Sequence, residues 1–417
     1  MGLIKAGRSG RWLVIAAVSA ITAAEGCGSD GGNTGGAGGS GGATSSSTTT
    51  TSSSTTSSST TSSTTSSSST GTGGAPAVTC LDASTYAGLF TIADTSFCAV
   101  AVYEADEEVG YQLPTWGTHG GPLVLLPGDN GDVLLHRWTA PSGSTGKLTK
   151  QETVVAAKIP ENAFLGGQAV DLPFFGWTGI TWTGAFPDTV GEIIMINGSN
   201  VAHSYGVNGA FSLAGVGDAN GGRLLFTGLS PIGETNTDVN GFYAADACNT
   251  PNQDLGTGTG CKASAEIAAW GESSGPVAVD HDGNAFVING SFSTSDQEAR
   301  GYAAAEVARG AAATAGKTLF SIPGFGSSLA AITPKGGKPG LLVFQPFDST
   351  TYAPLDVIAQ PYTVSTSVAS QGTPAKLLTV PATATMGLYM MTDTSDRLWV
   401  ASSGDSKTTF VVLDRKP

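Results

Sequence analysis

The sequence predicts an all-β fold, a β-propeller of about six blades closed by an N-terminal strand. Three observations predict it. Strand–turn–strand segments recur between residues 121 and 403. Helical periodicity is nearly absent from that region. The last hairpin and the apolar run after it supply three strands, which leaves a four-stranded blade one strand short.

The recurrence is visible in GEIIMINGSN (191–200) and GNAFVINGSF (283–292). Each has Gly, a polar residue, an apolar run ending in Ile, then Asn-Gly-Ser. We expect a structural repeat here, not a repeated binding site. Asn-Gly-Ser also matches a glycosylation sequon, but a turn after a strand explains it as well. GPVAVDHDGNAFVING reads as strand, Asp-Gly turn, strand, a strong hairpin signal. The same grammar occurs from Gly121 to Trp138, from Gly179 to Gly198, and in segments ending at Gly228, Phe347 and Ser403. The residues heading the second strands are 131, 191, 222, 283, 340 and 396. Four intervals are 56–61 residues and one is 31, against about 40–50 for a typical propeller blade. The short interval predicts a truncated blade or a misplaced anchor.

After the sixth hairpin comes TTFVVLD, Thr408 to Asp414. An N-terminal strand would complete that sheet and remove its open edge. YAGLFTIAD, Tyr86 to Asp94, is the candidate, flanked by Cys80 and Cys98. One helix is expected around Ala303 to Ala312, interrupted by Gly310.

GPVAVDHDGNAFV, Gly275 to Val287, resembles the repeats of bacterial NHL-type or SMP-30-like propellers. The resemblance covers one blade well and the others loosely. It implies a fold and no activity.

Three segments are expected along the chain: a signal peptide at 1–26, a lipidated cysteine with a linker at 27–75, and the propeller at 76–417. Lys5, Arg8 and Arg11 precede a 13-residue apolar run, Trp12 to Ala24. That run is too short to span a bilayer and fits an export signal. AAEGC, ending at Cys27, resembles the lipobox of bacterial lipoproteins, with Ala24 where Leu is usual. The resemblance implies lipidation of Cys27; the alternative is a secreted protein with a free thiol. Residues 44–70 are Ser or Thr without exception, and 28–43 are Gly-rich. Such a segment cannot form a core and predicts a disordered stalk. It would span roughly 40 Å as a coil and roughly 160 Å when extended.

The four remaining cysteines fall into two local couples, Cys80 with Cys98 and Cys248 with Cys261. Four cysteines permit three pairings. The local one closes the shortest loops and suits an oxidising compartment. The whole chain carries 19 Lys and Arg against 33 Asp and Glu, a net charge of −14. Without a basic footprint, no nucleic-acid partner is expected.

Candidate site residues are few. Asp280, Asp282 and Asn284 alternate as oxygen donors, as in calcium loops, but Gly283 stands at the fourth position and not the sixth. A hairpin turn accounts for them without Ca2+. GESSG, Gly271 to Gly275, fits a nucleophile elbow at Ser273, but a β-patterned run follows where a helix is required. SGSTGKL, Ser142 to Leu148, lacks phosphate-loop spacing. The histidines are His119, His136, His203 and His281, without paired-ligand spacing. His119 and Trp116, in WGTHGG, and Trp177 and Trp182, in FFGWTGITW, are the candidates for a ligand face. Exposed aromatics there would stack on sugar rings, and buried ones would only pack. EADEE, Glu104 to Glu108, reads as a solvated loop and is the first place to look for a surface cation.

These readings add up to an exported cell-envelope lipoprotein, held at the outer membrane or cell surface by its N-terminal lipid alone. On its stalk it would present a propeller as a binding or scaffold module for an envelope protein or glycan. The alternative is a propeller hydrolase or lyase for glycans or lactones, with a metal at the channel mouth. No catalytic residues are identified, and no cofactor is expected beyond the Ca2+ just weighed.

Overall fold

The computed structural model describes residues 78–109, 112–158, 164–172, 177–183, 191–197, 200–207, 210–217, 223–229, 240–246, 265–270, 274–290, 296–404 and 406–416. Cys27, the 1–75 leader and linker, Cys248, Cys261 and Ser273 lie outside them.

Six antiparallel sheets form the domain. Blade 1 runs Thr115–Gly117, Gly121–Pro127, Asp132–Thr139, Thr149–Lys158. Blade 2 runs Phe164–Leu172, Trp177–Thr183, Gly191–Asn197, Asn200–Val207. Blade 3 runs Ala210–Val216, Arg223–Leu229, Asn240–Asp246, Ala265–Trp270. Blade 4 runs Ser274–Val279, Ala285–Gly290, Asp296–Tyr302, Lys317–Pro323. Blade 5 runs Phe325–Ile332, Gly340–Phe347, Val357–Val364, Ala375–Thr379. Blade 6 runs Leu388–Thr392, Leu398–Ser403, Thr408–Arg415 and then Phe97–Ala105 from the N-terminal side. The first strand of each blade touches that of the next, and the sixth touches the first. The ring is closed.

Closure is by an N-terminal strand, as expected, but not by the expected one. Tyr86 ends a short 3-10 turn, Ala83–Tyr86. Within YAGLFTIAD only Thr91–Ile92 is extended, and it pairs with Ala375–Thr379 on the outside of blade 5. The closing strand is FCAVAVYEA, Phe97–Ala105, paired antiparallel with Thr408–Arg415 from Phe97↔Arg415 to Ala105↔Thr408. The physical reason is length and burial. Gly88, at φ 86, interrupts the earlier run, whereas Phe97–Ala105 is nine residues of mostly buried chain that matches the last strand. Cys98 lies in the closing strand itself and is disulfide-bonded to Cys80. Thr145–Lys147, from blade 1, adds in parallel to the other side of Phe97–Ala105.

The short interval also has an explanation. Residues 131 and 191 precede or begin third strands of their blades, whereas 222, 283, 340 and 396 precede or begin second strands. Counted consistently, second strands begin at 121, 177, 223, 285, 340 and 398. No blade is truncated. The two Ile-Asn-Gly runs are therefore not equivalent positions: one is the third strand of blade 2, the other the second strand of blade 4. They share burial on both faces. Ile193 to Ile196 and Ala285 to Ile288 are all buried, which is why these strands read as continuous apolar runs and not as alternations. The expected helix shrinks to one turn, Ala304–Val307, where Glu306 accepts a bond from Ala303 N at 2.7 Å. Gly310, at φ 78, turns the chain away.

Core packing lies between blades. Ala330, Ile332, Leu341 and Val343 of blade 5 meet Leu388, Met390, Leu398 and Val400 of blade 6. Buried polar side chains stitch the inner strands together. Gln168 Oε1 accepts from Leu213 N at 2.6 Å, Ser212 Oγ from Val277 N at 2.9 Å, and Ser328 Oγ from Met390 N at 2.8 Å. Innermost strands have one unpaired edge, and these side chains satisfy part of it. Replacing Ser212 by Ala would orphan the Val277 amide. We expect a loss of about 1–3 kcal/mol in denaturant unfolding, larger than for an exposed serine.

Candidate functional site

The six inner strands surround a channel with a cavity of about 330 Å³. Every blade contributes lining residues, including Trp116, Asp171, Gly215, Ala278, Ala330 and Thr392. Small side chains keep the space open. A Cβ on Gly215 would stand 2.7 Å from Leu172 Cδ2, so blade 3 packs this closely on blade 2 only with glycine there.

Among the described residues, the mouth lies where the inner strands of blades 1, 4, 5 and 6 turn into second strands. On its blade 1–2 side, Asp171 accepts from Thr118 N at 2.9 Å, Thr118 Oγ1 at 3.0 Å and Thr178 Oγ1 at 2.6 Å. Arg137 Nη2 donates to Thr178 Oγ1 at 2.8 Å and lies 3.5 Å from Asp171 Oδ1. This carboxylate is committed to holding two blades together.

On the blade 4–6 side, two turns share one design. In Asp280–Asn284, Asp280 Oδ1 accepts from Asp282 N at 3.0 Å and Asn284 N at 2.9 Å. In Asp393–Arg397, Asp393 Oδ1 accepts from Ser395 N at 2.9 Å and Arg397 N at 3.0 Å. The fourth residue is left-handed in both, Gly283 at φ 83 and Asp396 at φ 63. Asp280 is buried, and its Oδ2 also accepts from Asn284 Nδ2 at 2.9 Å and Tyr362 Oη at 2.7 Å. Burial pushes the Asp280 carboxyl up, against the pull of the Asn284 and Tyr362 hydrogen bonds.

His281 joins the two turns. Its backbone N donates to Thr333 Oγ1 of blade 5 at 3.0 Å. Its Nε2 lies 2.8 Å from Asp393 O and 3.5 Å from Asp396 Oδ1. Thr333 N donates to the same Asp396 Oδ1 at 3.1 Å.

The sequence candidates fall in different places. Trp116 lines the channel and packs on Trp399 of blade 6, ring centroids 4.8 Å apart. His119 folds back over Gly117 and Gly121, its Nε2 3.2 Å from Trp138 O. Burial pushes its pKa down. Trp177 and Trp182 belong to the second strand of blade 2, not its inner strand. Of the calcium candidates, Asp282 is exposed and Asn284 Oδ1 accepts from Ala304 N at 3.0 Å. Among the described residues, no three His, Cys, Asp or Glu side chains are grouped so as to hold a metal ion. In the acidic run, Glu104 meets Lys407, Asp106 meets Lys147 at 2.8 Å, and Glu107 meets Lys150. His281, Thr333 and Asp396 were not singled out from sequence. The available signal was the Asp that opens both turns, 113 residues apart in chain order.

No family model matches the chain, and no curated protein matches it. Among solved structures it is similar to the soluble aldose sugar dehydrogenase of Escherichia coli in the apo form, at 12% identity and TM-score 0.45, covering 76% of this chain and 100% of that one. It is also similar to the PQQ-bound aldose sugar dehydrogenase of Streptomyces coelicolor, at 12% identity and TM-score 0.44, covering 78% and 98%. A glucose dehydrogenase matches at 10% identity and TM-score 0.43, covering 72% and 96%.

Proposed function

We propose that the protein is a cell-envelope lipoprotein that presents its propeller outside the cell as a binding module. The observation that carries this reading is the uninterrupted Ser/Thr run at 44–70, placed between Cys27 and the folded domain. A segment of that composition offers no apolar side chains for a core. Its use is to give a domain reach from an anchor, and reach serves a domain that must meet a partner. An open channel supplies a concave surface for that partner's groups. Among the described residues, the mouth carboxylates Asp171, Asp280 and Asp393 each accept at least three hydrogen bonds within the fold. That favours binding over hydrolysis.

The anchor is tested by expressing the full chain in a bacterial host with radiolabelled palmitate. Wild type should carry label in the membrane fraction, and Cys27→Ser should carry none. Equal labelling of both, or of neither, would overturn the anchored reading.

A further inference from the structure

One ring nitrogen of His281 has a defined role. Asp393 O is a carbonyl and can only accept, so Nε2 of His281 is the donor at 2.8 Å. In the neutral ring, Nδ1 is then left as an acceptor. The side chain is 38% exposed and lines the channel cavity, with Nε2 held by blade 6. The support is itself unusual. Asp396 takes a left-handed conformation at φ 63, and Asp396 Oδ1 faces both His281 and Thr333 N. Strain of this kind in a non-glycine residue persists only where surrounding contacts impose it, and it concentrates at functional sites.

The surroundings select a ligand class. Thr392 and Thr394 line the same cavity, and Ala278, Ala330 and Met390 form an apolar wall. The net charge of −14 and the carboxylates at the mouth disfavour anions. Asp280 and Asp393 are already bonded within the fold, which leaves them little to offer a cation. At about 330 Å³, the cavity sits at the low end of the roughly 300–1,000 Å³ of small-molecule sites.

We propose that this mouth binds a small neutral polyol of monosaccharide size, with a ligand hydroxyl donating to His281 Nδ1 and the ligand's C–H face against the apolar wall. The proposal rests on the binding-module reading and names the ligand of that module's channel.

Ligand-observed NMR on the full chain tests it, with sorbitol and glucose as probes and gluconate and glucosamine as charged counterparts of similar size. Saturable binding of a neutral probe is expected, at least tenfold weaker in His281→Phe, measured at a temperature where both proteins are fully folded. Thr394→Val, at an exposed position, removes a hydroxyl without disturbing the core and should weaken binding several-fold. Asp396→Asn should weaken it less than His281→Phe, because Asp393 O still orients the ring. Failure of both neutral probes to bind would overturn the proposal. So would wild-type affinity in both His281→Phe and Thr394→Val, or preference for a charged probe. Neutral-probe binding by a chain that carries no lipid on Cys27 would remove the anchoring reading and leave the ligand proposal standing.

Discussion

Replacing Asp280 by Ala should destabilise the domain by at least about 3 kcal/mol. The carboxylate accepts from Asp282 N, Asn284 N, Asn284 Nδ2 and Tyr362 Oη. Removing it leaves several of these donors without a partner in a buried turn, and each orphaned group costs about 1–3 kcal/mol, with incomplete additivity. Asp282→Ala, at an exposed position, should shift stability by no more than about 0.5 kcal/mol. Equilibrium denaturation of the two variants separates a turn scaffold from an ion site. A calcium loop spread over Asp280, Asp282 and Asn284 would make both substitutions costly, and only in the presence of calcium.

The second large effect concerns ring closure. Val102 sits in the closing strand, opposite Val411 on one side and Thr145 on the other. Its N–H donates to Ser144 O at 2.8 Å. Val102→Pro removes that donor and places a ring inside a sheet, which should cost about 3 kcal/mol or more. Thr91→Pro alters the two-residue strand on the outer edge of blade 5 and should cost clearly less. If the two losses were reversed, Thr91–Ile92 and not Phe97–Ala105 would be the closure. Denaturation midpoints with unchanged m-values would measure both.

The architecture was legible because its signals are local. Asp-Gly and polar turns between apolar runs mark hairpins wherever they occur, and each of the six segments belongs to its own blade. Strand order within a blade was less legible. Central strands buried on both faces, such as Gly340–Phe347, look alike whether second or third, and that produced the spurious short interval. The closing strand was missed for a related reason. FCAVAVYEA has little polar alternation, and its partner lies some 300 residues away in the chain, a distance no local pattern encodes.

The candidate site was legible only in fragments. Trp116 does face the channel, but His119 turns back on its own blade because Gly117 and Gly121 leave room for the ring. His281 looked like any turn residue. Its character comes from Asp393 and Asp396 on blade 6 and Thr333 on blade 5. Three blades must close into a ring before those groups meet.

The central claim is that the propeller is displayed outside the cell on its tether. Antibody labelling of intact cells expressing the full chain tests it most directly, with the same cells after lysis as reference. The account predicts strong labelling of intact cells, lost when Cys27→Ser releases the protein to the medium. Labelling that emerges only after lysis would contradict it.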